Sequence, residues 1–233
     1  MIADNIDTLR NRIIKKCSEC GRNPDEIKLI AVSKYFGIDA INQAIDAGLS
    51  DFGENKAQEL NLKFENLGTK VTWHFIGTLQ ANKVKYAVKC SELIHSVDSL
   101  ILAEEIAKKA AAVGKVQKIL AQVKTSEEET KSGAESDDEV RKILSFCKSN
   151  KNLVALGLMT MAPFTENENL IRKSFKDLKN LLSKFKSEGF QLNELSMGMT
   201  SDFEIAIEEG STMLRIGSAI FGERDYSKKW NEL

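Results

Sequence analysis

The chain has 233 residues, 33 basic against 34 acidic side chains, a formal charge of −1, 42% hydrophobic and 29% charged residues, and only two prolines. A balance this close to neutral excludes a general binder of nucleic acid or of anionic membrane surfaces, and no apolar run approaches the roughly 18 residues that span a bilayer. The opening Met1-Ile2-Ala3-Asp4-Asn5 lacks the basic and apolar regions of a secretory signal, which predicts a cytoplasmic protein.

Asp4 to about Cys20 carries Ile6, Leu9, Ile13 and Ile14 at helical spacing, with Asp4 placed to cap, and Gly21 and Pro24 end that helix. Leu29-Ile30-Ala31-Val32 reads as a strand buried on both faces, and it runs through Ser33 to Lys34. Ile38–Ala47 is an amphipathic helix closed by Gly48, and Leu49–Asn55 a short strand and turn into a helix over Lys56–Leu67. Val71–Gly77 is a strand, Gln80–Val88 a helix, Leu93–Val97 a strand and Leu100–Val113 an alanine-rich helix. Val116–Val123 is a strand, followed by a polar loop over Lys124–Ser136 and a helix over Asp137–Ser149. Leu153–Met161 is a strand and Leu170–Glu188 a long helix. Leu195–Met197 is a strand, Asp202–Glu209 a short helix and Met213–Gly217 the last strand.

Eight short strands alternate with helices, and no Asn-Gly or Asp-Gly hairpin turn joins any two of them. Strict alternation implies parallel strands, each crossover carrying its own helix. Eight such units close into a (β/α)8 TIM barrel, which suits this length as one domain. A doubly wound open sheet competes, but its Gly-x-Gly-x-x-Gly turn after the first strand is absent. Cys17 and Cys20 form a C-x-x-C at a helix end with no second pair and no nearby histidine, and Cys90 and Cys147 stand alone, so no metal or redox role is assigned to them.

Barrel chemistry sits at the C-terminal ends of the strands. Lys34 stands at the first strand end, Asn55 at the second, His74 near the third, Met159–Pro163 at the sixth, Met197–Ser201 at the seventh and Arg215–Ser218 at the eighth. A lysine in an apolar setting loses its proton more readily, and its neutral amine is the nucleophile that forms a Schiff base. Gly198, Gly217 and Gly222 permit close backbone approach, and Thr200, Ser201 and Ser218 offer hydroxyls, as a phosphate held after strands seven and eight requires. Ser201-x-x-Glu204 also reads as a capping box that brings a helix N-terminus to the same place. A phosphate pocket with an imine-forming lysine fits either a class I sugar-phosphate aldolase or pyridoxal phosphate. Arg215 favours pyridoxal phosphate, because a guanidinium never yields its proton and so keeps a pyridine nitrogen unprotonated.

Ala31-Val32-Ser33-Lys34, Phe52-Gly53-Glu54-Asn55, Trp73-His74-Phe75-Ile76-Gly77-x-Leu79-Gln80-x-Asn82-Lys83, Gly157–Pro163, Ser196-Met197-Gly198-Met199 and Arg215–Gly222 resemble the pyridoxal phosphate homeostasis protein family. That family looks like the N-terminal barrel of alanine racemase standing alone, and the match runs from the first strand to the eighth. The resemblance implies one cofactor-binding barrel over residues 1–233, with Lys34 carrying pyridoxal 5′-phosphate as a Schiff base and Asn55 near the ring. Arg215 would face the pyridine nitrogen, and Thr200, Gly217 and Ser218 would hold the phosphate with the backbone around Met199. His74 suits a packed barrel residue as well as a catalytic one, and His95 reads as structural. Tyr35-Phe36-Gly37 replaces the Thr-Lys-Pro often found after the lysine, and Thr200 replaces a usual serine with its hydroxyl kept.

The competing function is an amino-acid racemase, which needs a second base opposite the lysine. In the racemases a tyrosine of a further β-domain supplies it, and this chain ends soon after its last strand with only Tyr35, Tyr86 and Tyr226. An arginine at the pyridine nitrogen also weakens the ring as an electron sink. The expectation is therefore a monomeric carrier that buffers a reactive aldehyde and passes it to apo-enzymes.

Overall fold

The computed structural model describes residues 1–126, 128 and 132–223. Its strands are β1 (Lys28–Val32), β2 (Asp51–Glu54), β3 (Thr72–Phe75), β4 (Leu93–Val97), β5 (Gln117–Gln122), β6 (Leu153–Met159), β7 (Glu194–Ser196) and β8 (Met213–Ile216). All pair in parallel in chain order, and β8 returns to β1 to close a (β/α)8 barrel. The helices are α1 (Ile2–Glu19), α2 (Ile38–Asp46), α3 (Ala57–Leu67), α4 (Val84–Cys90), α5 (Leu100–Ala112), α6 (Asp137–Ser149), α7 (Glu168–Ser187), α8 (Phe203–Glu208) and α9 (Ser218–Phe221).

The two-residue period of a strand sorts side chains between two cores. Ile30, Leu93, Leu120, Met159 and Met213 fill the barrel interior, while Ala31, Phe52, Trp73, Phe75 and Leu214 turn outward into a larger core beneath the helices. Within β3 this puts Trp73 and Phe75 on the helix side and His74 inside. The helices supply matching apolar stripes, as in α1 with Ile6, Leu9, Ile13 and Cys17. Here the expected phase shifts: Ile14 is half exposed and Cys17 takes its place in the core. Cys20, the other thiol of the C-x-x-C, is exposed.

The helix starts follow local chemistry. The side chains of Ser99 and Ser136 accept from the third residue onward, Leu102 and Glu139. Asp137, Asp138 and Glu139 then sit in the first turn of α6, where the helix dipole favours negative charge. The capping box expected at Ser201 and Glu204 does not form. Asp202 takes the cap position of α8, its carboxylate accepts from Met199 N–H, and Glu204 pairs instead with Arg12 on α1. The short α9 after β8 had no expectation behind it.

Gly157 is where the wall is tightest. A β-carbon there would lie 1.9 Å from the carbonyl oxygen of Glu194 on β7, and the β5–β6 register slips at the same level. Gly157→Ala is expected to destabilise the fold by about 3 kcal/mol through overpacking against backbone that cannot yield. Urea unfolding measures this, and an alanine variant within about 0.5 kcal/mol of the parent would contradict so close a β6–β7 contact.

Candidate functional site

The seven residues singled out from the sequence all lie at the C-terminal end of the barrel. Lys34 follows β1, Asn55 follows β2, Met199 and Thr200 follow β7, Arg215 lies in β8, and Gly217 and Ser218 follow it. The ladder continues one residue past β1, where Ser33 N–H donates to Gly53 O at 3.1 Å. Alternation then makes Ser33 the outward residue and Lys34 the next inward one, as Glu54 is outward and Asn55 inward on β2. Asn55 Oδ1 is buried without a hydrogen-bond partner among the described residues, an acceptor that a ligand would satisfy.

Behind this pair, between the barrel and α3, lies a cluster that sequence reading did not find. Lys63 Nζ donates to Ser33 O, Glu54 Oε1 and Glu59 Oε1 at 2.8, 2.7 and 2.8 Å. Ser33 Oγ donates to Glu54 Oε1 at 2.6 Å, and Tyr35 N–H to Glu59 Oε1 at 2.7 Å. Ser33, Glu54 and Glu59 are fully buried and Lys63 is 3% exposed. Burial pushes the Glu54 carboxyl well above its usual range, Lys63 pulls it down, and the charge of Glu59 adds to the rise. Tyr35 holds φ = 67°, a left-handed conformation that costs a non-glycine residue roughly 1–2 kcal/mol. The signal for this cluster was present, since Glu59 and Lys63 stand four apart on the same stripe of α3 as Leu60 and Leu67.

A second buried assembly crosses the interior. Arg215 Nη1 donates to Ser196 Oγ at 2.7 Å and Nη2 to Thr160 O at 2.9 Å. Ser196 Oγ lies 2.8 Å from His95 Nδ1, His95 Nε2 lies 2.9 Å from His74 Nδ1, and His74 Nε2 lies 3.0 Å from Asp51 Oδ1. β4 and β7 lie apart in the sheet, so His95 and Ser196 meet only through the barrel interior. Asp51 is an acceptor and Arg215 only a donor; with both imidazoles neutral, His74 Nε2 donates to Asp51, His95 Nε2 to His74, and Ser196 to His95. Burial, His74 and Arg215 all push the His95 pKa well down, which fits its place as a neutral link. Burial lowers Arg215 to about 10 against the opposing pull of Asp202, so it stays cationic at neutral pH. His95, read from the sequence as structural, thus belongs to the chain that orients Arg215; Thr160 comes from the sixth strand end and Ser196 from a quoted motif, neither with this role assigned, and Asp51 joins unforeseen.

At the loops after β7 and β8 the amides decide what can bind. Met199 N–H is taken by Asp202 Oδ1 at 2.5 Å. The N–H groups of Thr200, Ser201, Gly217 and Ser218 have no acceptor among the described residues. Four donors without acceptors at one barrel end suit a phosphate, and the loops come together because Arg215 N–H donates to Gly198 O at 2.9 Å. Gly198 is required there: φ is 98°, and a β-carbon would lie 2.7 Å from that of Ala206. The segment after Lys34 meets the same barrel end, as Phe36 stacks on Phe221 of α9 with ring centroids 4.9 Å apart.

Asp51 provides a test of the interior chain. Burial would raise its pKa, but the hydrogen bonds from His74 and Ser50 and the charge of Lys28 hold it down at about 2. A carboxyl depressed in the folded state stabilises fully above its unfolded pKa, near 3.8, and loses that contribution as pH falls towards 2. Asp51→Asn should therefore cost on the order of 1 kcal/mol at neutral pH, since Asp51 keeps some contact with water. Urea unfolding of both proteins from neutral pH down to about pH 3 should show the difference shrinking at the acid end, and a constant difference would contradict the assignment.

Comparison with known proteins identifies the family of the chain. Residues 2–225 match the alanine racemase N-terminal domain family. The pyridoxal phosphate homeostasis protein of Aquifex aeolicus is 40% identical over 225 residues, covering 96% of this chain and 98% of the relative, and that of Escherichia coli K12 is 39% identical, covering 98% and 99%. Among solved structures, PipY of Synechococcus elongatus with PLP bound is 33% identical, covers 95% of this chain and 100% of its own, and superposes with a TM-score of 0.84. Alanine racemase of Clostridium difficile shares the fold at 14% identity and a TM-score of 0.78, with 99% of this chain matching 60% of the racemase. The chain belongs to the pyridoxal phosphate homeostasis protein family, built on the barrel of the alanine racemase N-terminal domain.

Proposed function

We propose that this barrel binds pyridoxal 5′-phosphate, holds it as a Schiff base on Lys34, and carries it within the cytoplasm to apo-enzymes, acting as a monomer without strong catalysis of its own. The ligand follows from the family, in which PipY is seen with PLP bound. The observation that carries the reading is the convergence at one barrel end of Lys34, Arg215 and the acceptorless amides of Thr200, Ser201, Gly217 and Ser218. When bound, the cofactor supplies an aldehyde for an amine to capture and a conjugated ring that can withdraw electrons from an attached amino acid.

The chain's own residues divide the work. The amides after β7 and β8, with the hydroxyls of Thr200 and Ser218, hold the phosphate; Met199 contributes through the carbonyl that anchors the start of α8. Asn55 meets the ring with its unpaired Oδ1. Arg215 is held by Ser196 and Thr160 and stays charged, so it donates to the pyridine nitrogen and leaves no proton there. That weakens the ring as an electron sink. Racemisation also needs a second base facing Lys34. Tyr35 adjoins the lysine and its ring lies 4.6 Å beneath the Lys56 ammonium, Tyr86 packs against the outer core, and Tyr226 falls outside the described residues. This arrangement favours retention over turnover, in keeping with relatives named for homeostasis rather than for a reaction.

The test is the absorption spectrum of the protein mixed with pyridoxal phosphate, followed by borohydride reduction and peptide mapping. A yellow imine band, absent in Lys34→Ala and reduced onto Lys34, is expected. A wild-type protein that takes up no cofactor, or carries it on another lysine, overturns the assignment. The loaded protein given L-alanine should form D-alanine no faster than Lys34→Ala does; faster formation would replace the carrier by a racemase.

A further inference from the structure

We infer that Lys63 is a positioning residue for Lys34: with Glu54 and Glu59 it fixes the backbone on both sides of that lysine, and so the path of its amine to the cofactor's aldehyde. The inference rests on the reading of Lys34 as the anchor and extends it to three side chains packed between the barrel and α3.

The geometry is that of a clamp. Two rigid peptide planes pivot about the Lys34 α-carbon. The plane before it ends in Ser33 O, which accepts from Lys63 Nζ at 2.8 Å. The plane after it carries Tyr35 N–H, which donates to Glu59 Oε1 at 2.7 Å. One ammonium with its carboxylate partner therefore holds both planes, and Tyr35 stays in a left-handed conformation that its residue type disfavours. Glu54 brings in the second site strand, because it binds Ser33 Oγ and Lys63 and immediately precedes Asn55.

Stability alone does not account for such a cluster. Apolar side chains of similar volume commonly fill a buried ion-pair site at no loss. What they cannot supply is three directional bonds from one nitrogen to a carbonyl and two carboxylates. Capture of the aldehyde needs that direction. The neutral lysine amine adds to the aldehyde carbon, the carbon–nitrogen double bond forms, and both amine protons leave with the aldehyde oxygen as water. A displacement of about 1 Å in such an attack costs on the order of a hundredfold in rate.

The test compares two ligands. Pyridoxal phosphate can form the imine, whereas pyridoxamine 5′-phosphate offers the same phosphate and ring without an aldehyde. In Lys63→Met the imine band should appear at least about tenfold more slowly than in wild type, with the Kd for pyridoxamine phosphate within about twofold, and Lys63→Arg should recover much of the rate. Lys63→Met leaves two buried carboxylates without their cation, so Glu59→Leu is measured beside it. That variant keeps the Glu54–Lys63 pair and removes the carboxylate that Tyr35 N–H and Lys63 share, and the same selective slowing is expected. Folded variants that form the imine at the wild-type rate, or that lose both ligands equally, overturn the clamp. A wild-type protein that forms no adduct on Lys34 overturns the anchor reading instead, so the two failures are distinct.

Discussion

Closure of the barrel between β1 and β8 is the constraint on which the site depends. Lys28, Leu29, Ile30 and Ala31 pair with Met213, Leu214, Arg215 and Ile216, residues about 185 positions away along the chain. That register sets Arg215 in the interior and brings the strand ends that lead to Lys34 and to Gly217 side by side. Every strand between must keep its place for the ends to meet. Gly157 is the price at one point of the wall, where only a hydrogen fits against the backbone of Glu194. The site is thus a product of the whole fold, although its residues come from short segments.

Two buried polar assemblies serve that end from opposite sides of the wall. Outside the barrel, one ammonium lies between two carboxylates and grips the backbone around Lys34. Inside, two imidazoles and a hydroxyl join a carboxylate at one end to a guanidinium at the other. The first assembly holds backbone and the second holds a side chain. The alternation of the strand assigns each neighbour its role: Ser33 and Glu54 face the helices, while Lys34 and Asn55 face the interior. A single residue's slip in β1 or β2 would exchange those roles.

Much of this was legible in the sequence. The strand–helix alternation implied the closed parallel barrel, and α6 occupies Asp137–Ser149, the bounds expected for it. Lys34, Asn55, Arg215 and the loops after β7 and β8 could be placed at one barrel end, because strand ends are where barrels place chemistry. Other features depended on contacts that no local pattern encodes. Ser201 and Glu204 had the spacing of a capping box, but Arg12 of α1 claims Glu204 and Asp202 claims Met199 N–H. Glu54, Glu59 and Lys63 come together only when α3 packs onto β2, and His74, His95 and Ser196 meet only once the barrel has closed. Ile14 and Cys17 changed places because an apolar list leaves the phase of a helix open by one residue.

The most direct measurement is a crystal structure of the protein loaded with pyridoxal phosphate. The expected result is electron density continuous from Lys34 Nζ to the cofactor's former aldehyde carbon, the phosphate on the amides of Thr200, Ser201, Gly217 and Ser218, and Arg215 at the pyridine nitrogen. Cofactor bound elsewhere on the barrel, or joined to a lysine other than Lys34, would contradict it.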